Sequence, residues 1–246
     1  MADTNRPTLL VFTLGAGREQ ARRRLLLGDA AGAERQLHER CLESVLEAGR
    51  AAGCRLRVCS PGGKPLAADA QADRQAEEGF GRRLLGAVRR AGAESSGPLI
   101  VVGTDAPDLD AELLHQTREA LDRDPDAVIL GPARDGGVYL LAASRSVVAE
   151  LATVRWRSRH TCESLVAAMQ AAGRPVLLLA PLSDLDSRRD LERWLAAAEA
   201  TRDGWSVVVA ALVAALRALA AVSSSVFGRA PEPVWCRVPA GRAPPR

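Results

Sequence analysis

Six apolar runs of strand length, residues 8–14, 54–59, 98–103, 126–131, 138–143 and 175–180, punctuate this chain, and longer segments of helical character separate most of them. Those segments are 18–52 (broken near Gly28), 73–92, 110–122, 160–172 and 187–202. A parallel strand is covered by helices on both faces and so reads as a continuous Val/Ile/Leu run. The alternation therefore predicts an α/β fold with a mostly parallel sheet and helices on both faces. One junction departs from this pattern. Asp135-Gly136-Gly137 joins two neighbouring apolar runs with no helix between them. Asp-Gly is a strong hairpin signal, so a hairpin or sharp bend is expected there.

With 246 residues the chain holds one sizeable α/β domain and little more. That domain is placed at residues 1–203. Ser206 to Val222 is almost wholly Ala, Val and Leu with Arg217 as its only charge, which predicts an apolar helix over 204–222. The Ser, Pro, Gly and Arg-rich residues 223–246 have the composition of a disordered tail. The apolar helix is short of the roughly 20 residues that span a bilayer. Two readings stay open for it: docking on the body or a partner, and peripheral contact with a membrane.

The net charge of +3 invites a nucleic-acid reading, but residues 223–246 account for it with Arg229, Arg237, Arg242 and Arg246 against Glu232. The body is neutral, and 3% aromatic content leaves few platforms for stacking bases, so no nucleic-acid partner is expected. Cysteines 41, 54, 59, 162 and 236 are odd in number and contain no C-x-x-C. Neither a disulfide framework nor a zinc site is suggested, and a reducing cytoplasm fits best. The N-terminus lacks the basic and apolar regions of an export signal.

Chemistry concentrates where the apolar runs stop. In open α/β sheets the carboxyl ends of the strands face the ligand crevice. The run at 98–103 ends in Gly103-Thr104-Asp105-Ala106-Pro107-Asp108, so Asp105 is placed where a ligand would sit. Two carboxylates three residues apart suit Mg²⁺ or Mn²⁺, hard cations that also hold substrate phosphates. Asp108 reads equally as a cap of the following helix. Asp135 has two equal readings, turn residue or catalytic group. Asp184 and Asp186 follow another apolar run, and either could share a metal with Asp105, although Asp186 could also serve only to complement a helix dipole.

The first run leads into Gly15-Ala16-Gly17-Arg18, but Gln20 stands where a dinucleotide fingerprint needs its third glycine. The only lysine, Lys64, lies in no Walker-type loop. What remains is a Gly-rich loop feeding a helix with Arg18, Arg22, Arg23 and Arg24. Its backbone N–H groups and guanidinium forks could hold a nucleotide's phosphates, against the alternative of a solvated basic face. His160 and Glu163 are candidate general bases of lower standing. Cys162 has no activating partner in sequence, and covalent nucleophilic catalysis is not indicated.

Taken together, RRRL at 22–25, GTDAPDL at 103–109, GPARDGGVYLL at 131–141, VRWRSRHT at 154–161 and LSDLDSRRDLERW at 182–194 resemble a bacterial group of glycosyltransferase-A-like transferases. These are the arsenosugar-biosynthesis-associated and selenodomain-associated transferases, which look like distant relatives of molybdenum-cofactor guanylyltransferase and 2-phospholactate guanylyltransferase. The resemblance spans about residues 8–200 and is most specific in its two middle motifs. It implies a Rossmann-like nucleotide-diphospho-sugar transferase fold. In that fold Asp105 is a metal ligand and catalytic residue, Asp135 is catalytic, and Gly136 and Gly137 line the donor or acceptor site. The family's usual ending, Asp-Val-Asp-Thr-Pro-Glu-Asp-Leu, also raises Asp186 as a metal ligand. Gly15, Gly17, Arg18, Arg22 and Arg24 are left to bind nucleotide phosphates. The chain departs from the family at the first loop, where Arg22 and Arg23 replace the usual Lys-Thr; arginine keeps the charge but not lysine's compact ammonium.

The expectation is a cytoplasmic, metal-dependent transferase that passes a glycosyl group from a nucleotide sugar to a small-molecule acceptor. The alternatives are a nucleotidylyltransferase, which consumes a nucleoside triphosphate and releases pyrophosphate, and a catalytically weakened nucleotide-binding or scaffold protein.

Overall fold

A computed structural model describes residues 6–14, 33–75, 79–185 and 188–198. The described residues form seven strands and six helices. The strands are β1 (Thr8–Phe12), β2 (Arg55–Ser60), β3 (Gln71–Arg74), β4 (Leu99–Val102), β5 (Val128–Pro132), β6 (Val138–Ala143) and β7 (Val176–Leu178). The helices are α1 (Ala33–Ala51), α2 (Phe80–Glu94), α3 (Ala111–Arg123), α4 (Val148–Leu151), α5 (Thr161–Ala171) and α6 (Arg188–Ala198).

All seven strands join one sheet in the order β3-β2-β1-β4-β6-β5-β7. Only β6 runs against its neighbours, antiparallel to both β4 and β5; every other pairing is parallel. Alternate side chains of each buried strand feed opposite faces. Leu9, Val11, Leu56, Val58, Ile100 and Val102 pack with Leu42, Val45 and Leu46 of α1 and with Leu114 and Leu121 of α3. Leu10, Phe12, Val101, Val128 and Leu130 pack on the other face with Leu84 and Val88 of α2, Leu151 of α4 and Leu165 and Met169 of α5. The expected parallel sheet with two helical faces is therefore present. So is the expected hairpin: β5 and β6 are joined through Asp135-Gly136-Gly137.

Three sequence expectations need correction. The segment 73–92 was expected to be helical throughout, yet residues 71–74 are the edge strand β3, and the helix begins only at Phe80. Gln-Ala-Asp-Arg carries no apolar run, and its pairing comes from β2 and from Arg57, which forks onto Asp73. The cap of α3 is Asp110, whose Oδ1 accepts from Leu113 N at 2.9 Å, rather than Asp108. The short α4 had no counterpart in the sequence reading. Among the described residues no helix is long and apolar enough to cross a membrane. The apolar segment 204–222 and the tail 223–246 lie outside the described residues.

Candidate active site

The neighbours of β1 are β2 on one side and β4 on the other, so the chain reverses its direction of travel across the sheet at β1. A crevice outside the carboxyl ends of the strands is expected at such a switch point. Thr13 follows β1 and Thr104 follows β4; both are buried, and their hydroxyls lie 3.5 Å apart. Gln75, after β3, clamps this end of the sheet. Its Nε2 donates to Thr13 O at 2.7 Å and to Cys59 O at 3.0 Å, while its buried Oε1 has no hydrogen-bond partner among the described residues.

Next to this switch point a cleft of about 630 Å³ opens, lined among others by Asp105, Asp135, Gly137 and Asp184. Asp105 is half-buried on the loop that leaves β4. Asp184 arrives from a distant part of the chain. The segment after β7 bridges Ala133 through Leu182 and then donates Leu185 N to Asp105 O at 2.9 Å. This backbone bond ties the Asp184 loop to the Asp105 loop. Asp186, the other acidic residue expected here, lies outside the described residues, as do Gly15, Gly17, Arg18, Arg22 and Arg24.

Asp135 is exposed at the tip of the hairpin, and its Oδ1 accepts from Gly137 N at 2.8 Å, so one carboxylate oxygen serves the turn. Gly136 has φ 91, and a Cβ there would run into the carbonyl oxygen of Arg159. Its own carbonyl accepts from Cys162 N at 3.0 Å. The hairpin tip is thereby strapped to the start of α5, and glycine is required for the approach. Tyr139 packs its ring where a side chain at Gly131 would sit, donates its hydroxyl to Ala180 O at 2.9 Å, and is pushed up to about 12 by burial. It supports the cleft as a neutral phenol.

A further part of the lining is not legible in the sequence. Phe12, Phe80 and Trp156 meet in a row, with ring centroids 5.6 and 5.7 Å apart. Gly81 lets Trp156 close on the first turn of α2, because a Cβ there would sit 2.6 Å from the indole Cδ1. This packing brings Arg83 of α2 into the same cleft as Arg157 and Arg159. Arg157 has a left-handed backbone with φ 57, uncommon for a non-glycine residue. The loop is held by Thr161, whose buried hydroxyl donates to Ser158 O at 2.7 Å. His160 and Glu163 pair with each other at 2.8 Å on the surface and do not line the cleft. Burial raises the Cys162 thiol and pushes Cys54 and Cys59 up to about 11, so these remain thiols at neutral pH.

Strand order and site position together define a Rossmann-like nucleotide-diphospho-sugar transferase fold, in agreement with the resemblance carried by the motifs. The chain belongs to the bacterial family described as "Uncharacterized protein conserved in bacteria (DUF2064)", whose model matches residues 36–158, half of its length. Among solved structures it is similar to a "putative nucleotide-diphospho-sugar transferase" from Desulfovibrio desulfuricans G20. That match has a TM-score of 0.76 at 20% identity and covers 87% of this chain and 98% of that one. A cytidylyltransferase from Leptospira borgpetersenii shares the fold with a TM-score of 0.55 at 12% identity, covering 92% of this chain and 98% of that one. So does 4-diphosphocytidyl-2C-methyl-D-erythritol synthase from Anaerococcus prevotii, with a TM-score of 0.51 at 10% identity over 78% of this chain and 97% of that one. A search of curated proteins returns no match.

Proposed function

We propose that this protein is a metal-dependent transferase using a nucleoside-diphosphate donor, and that it passes a glycosyl group from a nucleotide sugar to a small acceptor. The observation that carries this reading is the convergence of Asp105 and Asp184 on one cleft at the carboxyl end of the sheet, from loops tied together by the Leu185–Asp105 backbone bond. The described residues contain no group of three or more His, Cys, Asp or Glu able to hold a metal. The donor set still fits Mg²⁺ or Mn²⁺, because such ions are usually held by one or two carboxylates, with substrate phosphates and water completing the shell. Asp105 and Asp184, or Asp186 beyond it, would hold the cation, which would supply electrostatic stabilisation for charge on the leaving diphosphate. Asp135 and the Gly136-Gly137 turn border the same cleft, where donor and acceptor would meet. Gly15, Gly17, Arg18, Arg22 and Arg24 are assigned to the donor phosphates on sequence grounds. The same fold carries nucleotidylyl transfer in the Leptospira protein, so the leaving group is the discriminating property.

The test is a thermal-shift panel of nucleoside di- and triphosphates and nucleotide sugars, with and without Mn²⁺, on the parent and on Asp105→Asn. A ligand that binds only the native state raises the melting temperature. The parent is expected to show a Mn²⁺-dependent shift with a nucleoside diphosphate or its sugar ester. Asp105→Asn, which keeps the shape and removes the charge, is expected to lose that shift while melting normally without ligand. An equal shift in both proteins overturns the Asp105 assignment. Slow hydrolysis of the nucleotide sugar should release a nucleoside diphosphate; pyrophosphate released from a triphosphate would replace glycosyl by nucleotidylyl transfer. No metal-dependent shift with any nucleotide favours a scaffold.

A further inference from the structure

The cleft is lined by groups of both charges. Asp105, Asp135 and Asp184 supply carboxylates to its lining, and Arg83, Arg157 and Arg159 supply guanidinium groups. Several described arginines of this protein are engaged: Arg40 with Glu47, Arg50 with Glu43 and Asp69, Arg57 with Asp73 and Glu94, and Arg174 with Glu150. Arg83 and Arg157 differ. Neither forms an ion pair or side-chain hydrogen bond among the described residues, and the Arg83 Nε is buried without a hydrogen-bond partner. A guanidinium N–H removed from water and left unpaired costs free energy that a bound acceptor would recover. The arrangement is also built. The Phe12–Phe80–Trp156 row and the close approach at Gly81 lock the turn carrying Arg83 against the loop carrying Arg157, whose backbone is held left-handed.

We propose that Arg83 and Arg157 form the acceptor subsite of this cleft, and that the acceptor carries an anionic group, a phosphate or a carboxylate. This rests on the transferase reading above and extends it. The fork of a guanidinium matches the paired oxygens of either group. Arg159 is a weaker member of the wall, since its Nε donates to His160 Nε2 at 3.0 Å.

Calorimetric titration of the full chain with inorganic phosphate, and separately with malonate, tests this; the tighter of the two identifies the anionic group. Parent protein is expected to bind one of them saturably. Arg83→Gln is expected to weaken that binding about tenfold or more, as loss of a charge-assisted hydrogen bond does, and Arg157→Gln less. The Mn²⁺-dependent nucleotide shift should survive both substitutions. Should Arg83→Gln fail to fold, Arg157→Gln on its exposed loop decides by the same criterion. No saturable binding to the parent, or binding unchanged in both variants, overturns the proposal. Loss of the nucleotide shift together with the anion moves these arginines to the donor site and also overturns it. A parent that binds the anion through these arginines yet responds to no nucleotide keeps the subsite and removes the transferase reading instead.

Discussion

Arg57 on strand β2 and Arg83 on helix α2 are treated in opposite ways. Arg57, on β2, is held by Asp73 of β3 through two nitrogens and by Glu94 at the end of α2 at 2.9 Å. Its side chain is 5% exposed and that of Asp73 11%, so both charges are almost out of water. Arg83, on the α2 helix that Glu94 ends, faces a cleft with no such partner among the described residues. At the sheet edge, charges bind elements together; at the cleft, aromatic packing and backbone geometry do that work and leave Arg83 and Arg157 unpaired among the described residues. A buried charge left without its partner is costly, so an uncommitted guanidinium in a cleft signals a ligand more strongly than a paired one.

The contrast breaks most visibly at Arg57. Arg57→Met leaves the Asp73 carboxylate buried without its counter-ion and is expected to cost about 3 kcal/mol of stability, the scale for breaking a buried ion pair. Chemical denaturation of variant and parent measures it. Replacing both partners, Arg57→Met with Asp73→Leu, should recover most of the loss, because two apolar groups no longer demand desolvation of a charge. If the single variant is as stable as the parent, the edge pair is ornamental and the comparison with Arg83 fails.

The cleft side breaks through backbone rather than charge. Gly136→Ala must place a Cβ against the Arg159 carbonyl at a φ of 91. The expected cost is about 2 kcal/mol, from a strained backbone angle together with displacement of the loop. That displacement also moves the Arg157 loop, so anion binding should weaken in the same variant. Unchanged stability and unchanged anion affinity would show that the hairpin tip does not hold this wall.

Much of this architecture is legible in the sequence because it depends on apolar runs. The buried strands and both helical faces follow from continuous Val/Ile/Leu segments, and the hairpin from Asp135-Gly136. Asp105 is placed at the carboxyl end of the sheet by the buried strand β4 that it follows, whereas Asp184 lies well beyond the largely exposed β7 and reaches the same cleft through the bridge from Leu182 to Ala133. The edge strand β3 is hidden because three of its four residues are polar and it pairs only on one side. Arg83 is hidden for a different reason. In Gly-Arg82-Arg83-Leu-Leu it looks like part of the solvated face of an amphipathic helix, and only the tertiary approach of Trp156 to Gly81 reveals that it enters a cleft. Asp108 looks like the cap because it is the first acid after the turn, whereas Asp110 has the extended backbone that a cap requires.

The smallest expected effect is in the acid limb of stability, and it separates the two arginines by sign alone. The Arg57 guanidinium, with help from Gln71, holds the exposed Glu94 carboxyl below its ordinary 4.5. A carboxylate whose pKa is lower folded than unfolded contributes stability that is complete above the unfolded value and is lost as pH falls through the folded one. Glu47 beside Arg40 and Asp69 beside Arg50 act in the same direction. Parent protein should therefore lose stability as pH drops from about 4.5, where unfolded glutamate begins to protonate. Arg57→Met removes the Glu94 contribution and should make that decline shallower, although the variant starts from a lower stability. Arg83→Gln disturbs no carboxylate pair among the described residues, so its acid limb should run parallel to that of the parent. Denaturant midpoints at pH 3 to 6 for the three proteins give the slopes. A shallower limb in Arg83→Gln would mean that a carboxylate already neutralises Arg83, and the cleft would lose its claim to an anionic acceptor.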